Sequence, residues 1–341
     1  MSATDRLRQH WRQRTTFAVI IVALAYLVLA PLTSIDAAQQ VGLPLLTDRL
    51  WFRIATTVAM FVVMASGWNI IGGLTGYASF GNIAFFGLGA YTVGVLVANR
   101  GWPFPLALLV APAVAALFAL IVGLPLLRLR GHYFAVATLG VGVAVGEVVN
   151  NTSQLGASTG LTLPIVRSDL LFFYLMLAAA LLAVLTTWII LRTRFVYGLL
   201  AIRENEEAAA VIGVNTTFYK VAAFCIAAAL TGLAGGIFAQ WSSFVNQENV
   251  FAISDNVQMI LMAVVGGAGT VLGPVAGAIA LELLIQTLAG GGSGAVYSQI
   301  GLGVLLAACV IFIPRGVIDF FGGRSRLSLR YFRRTLHETS V

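Results

Sequence analysis

The chain has 341 residues, of which 59% are hydrophobic and only 10% charged, against roughly a quarter charged in an ordinary soluble domain. A soluble fold of this length needs more polar surface, whereas a membrane fold needs runs of about 20 apolar residues to cross a hydrocarbon core ~30 Å thick. The net charge of +7 does not indicate nucleic acid, because nineteen of the twenty basic residues are Arg spread between apolar runs and at both ends, with no basic–aromatic surface stretch.

Residues 1–16 carry Arg6, Arg8, Arg12 and Arg14 and precede an apolar run over 17–33. This resembles a signal peptide, but the run is long for one and no small-x-small cleavage site follows, so it reads as a first transmembrane helix. Further apolar runs fall near 52–71, 83–98, 104–127, 133–149, 170–191, 218–240, 256–265, 271–289 and 298–314. The pattern predicts an all-α membrane protein of about ten transmembrane helices, with some broken or short segments. Residues 1–16 and 315–341 are expected to be cytoplasmic and 17–314 to form the membrane domain, with its longest inside loop over 192–217. With residue 1 inside, sixteen basic residues lie in inside segments. Only Arg49, Arg53, Arg100 and Arg167 lie outside, a strong positive-inside bias that supports this count and orientation.

Two stretches depart from plain spans. Seven glycines between Gly72 and Gly94 are interleaved with Thr75, Tyr77, Ser79 and Asn82. Glycine permits bends and polar side chains re-satisfy a broken backbone, so this reads either as a discontinuous segment beside a translocation path or as close helix packing. The run 256–265 is too short to span and meets the break Gly266-Gly267-Ala268-Gly269, after which a helix is expected to start at Pro274. Gly142/Gly146, Gly232/Gly236 and Gly273/Gly277 are read as packing pairs.

Glu282 is the one acid in the middle of an apolar run. Burying its charge costs about 2.5–3.5 kcal/mol even on the lenient scale, so it is expected to face the bundle interior, a partner subunit or water, or to be protonated. There it serves either solute passage or a structural hydrogen bond. Cys225 and Cys309 lie in apolar runs and read as small buried hydrophobes. His10, His132 and His337 form no catalytic or metal constellation.

The 192–217 loop holds Asn205, a helix cap, then Glu206 and Glu207 in a first turn, three alanines that propagate a helix, and Gly213 to end it. Glu207-Ala208-Ala209-x-x-x-Gly213 resembles the EAA signature of ABC importer permeases. The stretch 200–215 is similar to one branch, the branched-chain amino acid importer permeases, and in particular to their LivM-like subunit. So are Gly76–Tyr91, Leu129–Ala135 and Val265–Pro274. Together the likeness covers residues 52 to 316. Ser79-Phe80-Gly81-Asn82 departs from the family's Leu-Ser-Leu-Gly-His, which bears on the preferred solute.

The resemblance implies an ABC importer permease of type II-like architecture, importing branched-chain amino acids, or alternatively urea, short amides or another small carboxylate. It implies that Arg203, Glu204, Glu207, Ala208, Ala209 and Gly213 couple to an ATPase. Tyr77, Ser79, Phe80, Asn82, Phe85, Phe86, Gly266, Gly267 and Glu282 are the expected translocation path. Its implied partners are a second, LivH-like permease, LivG- and LivF-like ATPase subunits, an extracytoplasmic binding protein and membrane lipid, but no nucleic acid. The chain itself is expected to be a non-catalytic subunit of a bacterial inner membrane, with no cofactor and both termini cytoplasmic. It has no G-x-x-x-x-G-K-[ST] loop, and Lys220 lacks the preceding glycine, so ATP is expected on partner subunits. A bulky charge at Ala209 is expected to leave the fold intact and uncouple hydrolysis from uptake. A stand-alone secondary transporter or channel, the competing class, predicts coupling-ion carboxylates in the membrane, for which Glu282 is the sole clear candidate.

Overall fold

A computed structural model describes residues 49–289, with side chains over 52–286. The expected first and last spans (17–33 and 298–314), the terminal segments 1–16 and 315–341, His10, His337 and Cys309 lie outside the described residues.

Within them the regular structure is helical apart from a two-residue antiparallel pair, Leu161–Thr162 (β1) with Phe244–Val245 (β2). The helices are α1 (Arg49–Trp68), α2 (Asn82–Gly94), α3 (Phe104–Leu126), α4 (His132–Asn150), α5 (Asp169–Arg192), α6 (Phe195–Glu204), α7 (Glu206–Val211) and α8 (Thr216–Ser242). They continue as α9 (Gln247–Val250), α10 (Ile253–Gly267) and α11 (Gly273–Ala289). Seven helical segments among the described residues are long and apolar enough to cross a membrane, and the 273–286 helix is shorter.

The expected half-helix at 256–265 is corrected by the structure. Gln247–Gly267 forms 21 nearly continuous helical residues. Hydropathy cut this element short at Ser254 and Asp255, and the polar Asn256 that follows them is partnered from a distant part of the chain. Asn256 Nδ2 donates to the Phe80 carbonyl at 2.6 Å, its Oδ1 accepts from Ile83 N at 3.3 Å, and Ser254 donates to Asp255 at 3.3 Å. The expected start of the next helix at Pro274 holds, since α11 begins one residue earlier.

Helix α8 sits at the centre, packed on α2 and α3, while α1 pairs with α5 and α10 with α11. Small residues allow the closest approaches. A Cβ on Gly89 of α2 would collide with the Gly232 carbonyl of α8, and one on Gly235 with the Phe86 carbonyl. In lipid no hydrophobic drive joins helices, so such backbone-to-backbone contact supplies the dispersion energy instead. Helix α3 shows the same logic without glycine at most positions. It buries Ala107, Ala111, Ala115, Ala119 and Gly123, one residue in four, and exposes Leu106, Leu109, Leu117, Leu120, Ile121 and Leu124. Small residues face protein and large ones face outward, the arrangement for a helix against lipid.

The connections alternate between two faces, as the charge count predicts. On one face Arg203 reaches Gly73, Asn69 reaches Thr270, and Lys220 reaches Leu127. On the other, Asn99 Nδ2 donates to the Gln154 carbonyl, Gln240 Nε2 to Pro164, and Leu163 N to Ser243. The first of these carries the 192–217 loop and is called the loop face below.

Candidate functional site on the loop face

Helix α7 forms for the local reasons its sequence supplies. Asn205, in extended conformation, caps it by accepting from Ala208 N at 3.0 Å. Its end is a Schellman turn: Gly213 N donates to Ala210 O and Val214 N to Ala209 O, both at 3.0 Å, with Gly213 at φ +90°. A side chain at 213 would be strained there, which is why glycine closes the helix.

The loop residues divide by exposure. Glu207, Ala208, Ala210 and Gly213 are exposed, and Val211 and Ile212 are the most exposed large apolar side chains at the tip (88% and 77%). Ala209 points inward and is 2% exposed. A bulky charge at 209 therefore has to displace α7, which corrects the expectation that the fold would tolerate it.

Three elements converge on Glu206, the first residue of α7. Its Oε1 accepts from Lys220 Nζ at 2.6 Å, at the first turns of α8. Its Oε2 accepts a short hydrogen bond from the Tyr77 hydroxyl, and Arg130 Nε lies 4.0 Å away. Lys220 is 4% exposed, yet all its donors are used: it also donates to the Leu127 carbonyl at 2.7 Å and to Tyr77 Oη at 3.3 Å. It lies 4.8 Å from the Tyr77 ring centre as well, a cation–π contact. Arg130 Nη1 binds Glu207 at 2.5 Å on the solvent side.

These partners set the protonation states. Burial pushes the Glu206 carboxyl up, but hydrogen bonds from Lys220 and Tyr77 and the charges of Lys220 and Arg130 outweigh it, so the net shift is downward. Burial, then the hydrogen bond to ionised Glu206, holds the Tyr77 hydroxyl far above the tyrosine range. The bond to Glu207 raises the Arg130 guanidinium.

The two glycine-rich breaks meet beside this cluster. Helix α1 runs into a π-helical turn, Asn69–Gly73, then Leu74 and Thr75 in α conformation and irregular backbone over 76–81. Asn69 clamps the 267–270 turn, with Nδ2 donating to the Thr270 carbonyl at 2.9 Å and Oδ1 accepting from Gly269 N at 2.6 Å. Arg203 Nη1 donates to the Gly73 carbonyl at 2.8 Å, and its side chain packs on Gly76 and Gly269. Gly267 has φ +122°, and Gly266 lies against the Gly273 carbonyl too closely for any side chain.

A cleft of about 470 Å³ opens between the 75–80 segment, the start of α4 (including His132) and the α6–α7 corner, where Glu204 also lines it. Ser79 is buried, its carbonyl accepting from Trp68 Nε1 at 2.8 Å, and Phe80 N donates to Thr138 at 3.0 Å. Asn82 is fully buried, and neither its side-chain oxygen nor its nitrogen has a hydrogen-bond partner among the described residues. Phe85 and Phe86 pack in the core against Phe224 and Phe238.

Glu282 stands apart from this face. It is 2% exposed between α10 and α11, accepting from Gln286 Nε2 at 2.8 Å and Gln258 Nε2 at 3.1 Å. Its burial in protein matches the expectation. Among the described residues no group of three His, Cys, Asp or Glu could hold a metal, and Cys225 is a free, half-buried thiol.

Sequence reading missed the roles of Glu206, Lys220, Arg130, Asn69 and Asn256, whose partners are far along the chain. Val211 and Ile212 left a usable signal, two large apolar residues ending an otherwise polar-faced loop helix.

Seven membrane-length helices packed through small residues, with a capped helix fixed to one face, define a multi-pass membrane protein. The chain belongs to the family described as the permease component of branched-chain amino acid transport systems, whose model matches residues 50–312. It is 30% identical to the high-affinity branched-chain amino acid transport system permease protein LivM of Salmonella typhimurium, over 82% of this chain and 72% of that one. The LivM protein of Escherichia coli K12 is likewise 30% identical, over the same shares. The autoinducer 2 import system permease LsrC of Salmonella paratyphi B is 29% identical over 31% of this chain and 32% of its own. No solved structure matches. The chain is thus a LivM-like, non-catalytic permease subunit.

Proposed function

We propose that this chain is the membrane subunit of an ATP-driven importer of branched-chain, hydrophobic amino acids in a bacterial inner membrane, with both termini cytoplasmic. It works with a second, LivH-like permease, LivG- and LivF-like ATPases and an extracytoplasmic binding protein. The observation that carries the coupling part is α7. It is a capped helix whose tip presents Val211 and Ile212 outward while its base is fastened to the body by Glu206. Exposed apolar side chains at the tip of a firmly anchored helix suit a groove on another protein. The names of the similar permeases support the substrate class. The path past Tyr77, Ser79, Phe80, Asn82, Phe85, Phe86, Gly266, Gly267 and Glu282 belongs to the same reading.

The test is coexpression with the four other subunits, purification, and reconstitution in vesicles with ATP. Copurification of the ATPases and ATP-dependent leucine, isoleucine or valine uptake is the expected result. Uptake of urea or small amides instead would replace the substrate. Uptake with no ATPase present would replace the class with a stand-alone transporter.

A further inference from the structure

Helix α7 packs mainly on its sequence neighbours α6 and α8, so its side-chain links to other elements decide how its motion is passed on. Two residues link it to other elements: Glu207 holds Arg130 at the exposed surface, and Glu206 makes the buried link. One carboxylate oxygen holds Lys220 on α8 and the other holds Tyr77 in the irregular segment between α1 and α2. The link is stiff. The ion pair is largely buried, with side chains 5% and 15% exposed, and a buried charge cannot leave its partner without a large penalty. Tyr77 then continues it inward. Its ring meets Phe134 of α4 edge-on at 5.2 Å, Phe134 meets Phe224 of α8 at 6.3 Å, and Phe224 meets Phe85 of α2 at 5.1 Å. Four rings from four elements thus run from the loop face into the bundle. Close-packed interiors transmit displacement rather than absorb it.

We propose that Glu206 is a positioning residue that transmits displacement of α7 through the Tyr77 hydroxyl, and along the rings of Phe134 and Phe224, to Phe85 on α2. The proposal rests on the reading of α7 as the ATPase-docking helix and names the route by which that work enters the membrane domain. A merely structural Glu206 would lower the amount of assembled complex, whereas a transmitting one changes solute moved per ATP spent.

The experiment uses the full complex in vesicles, with uptake and ATP hydrolysis measured on the same sample. Tyr77→Phe keeps the ring row and removes only the hydroxyl that joins it to Glu206. Uptake per ATP is expected to fall about tenfold, within the usual range of coupling factors. The double variant Glu206→Met, Lys220→Met, which leaves no orphaned buried charge and no acceptor for the Tyr77 hydroxyl, is expected to show the same loss. An unchanged ratio in an assembled Tyr77→Phe complex overturns the proposal. If that variant does not assemble, the double variant decides by the same ratio. Failure of both to assemble marks Glu206 as a folding residue and also overturns it. Failure of the unsubstituted chain to assemble with the ATPases defeats the docking reading itself, a result visible before any variant is made.

Discussion

Lys220 and Glu206, fourteen residues apart, form an ion pair of 2.6 Å that ties the first turns of the central helix α8 to the base of α7. Its worth lies in what its loss would leave behind. Removing one partner strands the other charge in a site nearly closed to water, which costs about 3–5 kcal/mol. Glu206→Ala and Lys220→Ala should each lower the melting temperature in detergent markedly. The double variant Glu206→Gln, Lys220→Met should lie close to the unsubstituted chain, and additive losses in the double variant would show that the pair is not coupled.

The same pair sets a pH dependence. Because the folded Glu206 carboxyl lies below its ordinary value of 4.5, its contribution is fully present above that pH. It is lost as pH falls toward and through the lowered folded value. Melting temperature should therefore hold steady from neutrality to about one unit above 4.5 and then drop. The Glu206→Gln, Lys220→Met variant should show a smaller acid drop, and an identical acid profile would contradict the assignment.

The loop helix offers a contrast between its exposed tip and its buried face. Val211→Asp and Ile212→Asp change side chains that touch little of this chain, so stability should move by no more than about 0.5 kcal/mol. ATPase copurification should nevertheless be lost. Ala209→Glu forces a charge into a buried position and should unfold the loop itself, read as new protease sensitivity within 200–215. Retained ATPase binding in Ile212→Asp would remove the tip from the docking surface.

Glycine packing can be tested against a built-in control. Gly89→Ala on α2 meets the Gly232 carbonyl, where neither backbone can yield cheaply, and should cost about 1–3 kcal/mol. Gly140→Ala on α4 meets nothing within 4 Å and should be neutral or slightly stabilising. Equal melting temperatures for the two would show that the α2–α8 approach is looser than it stands here.

Glu282 tests the membrane path separately from the loop face. Its carboxylate is held by Gln258 and Gln286 between α10 and α11, and Glu282→Gln keeps the shape while removing the charge. Normal assembly with reduced uptake is expected, and unchanged uptake leaves Glu282 as a structural acceptor.

Much of this was legible in the residues. Apolar run length and the placement of arginines revealed helical spans and the alternation of connections between two faces, because membrane thickness and charge impose those patterns on sequence directly. The cap at Asn205 and the stop at Gly213 were legible too, since both depend on contacts within a few residues. Hydropathy cut the element over 247–267 back to 256–265, because it registers Ser254 and Asp255 as polar without knowing that they pair with each other and that Phe80 and Ile83 receive the adjacent Asn256.

By itself, then, the sequence determined a helical membrane protein with a loop helix on the arginine-rich side, and only the resemblance of its motifs made that protein a permease. Every rule involved acts over a helical turn or over the width of a bilayer. Only the tertiary structure decided that Glu206 meets Tyr77, 129 positions away, that Asn69 clamps Gly269, 200 positions away, and that Ala209 faces inward while Ile212 faces out. Those pairings follow from which helices pack side by side. Nearly uniform apolar helices leave that choice to the fit of small residues between neighbours, a property of surfaces in contact that no local stretch of chain records.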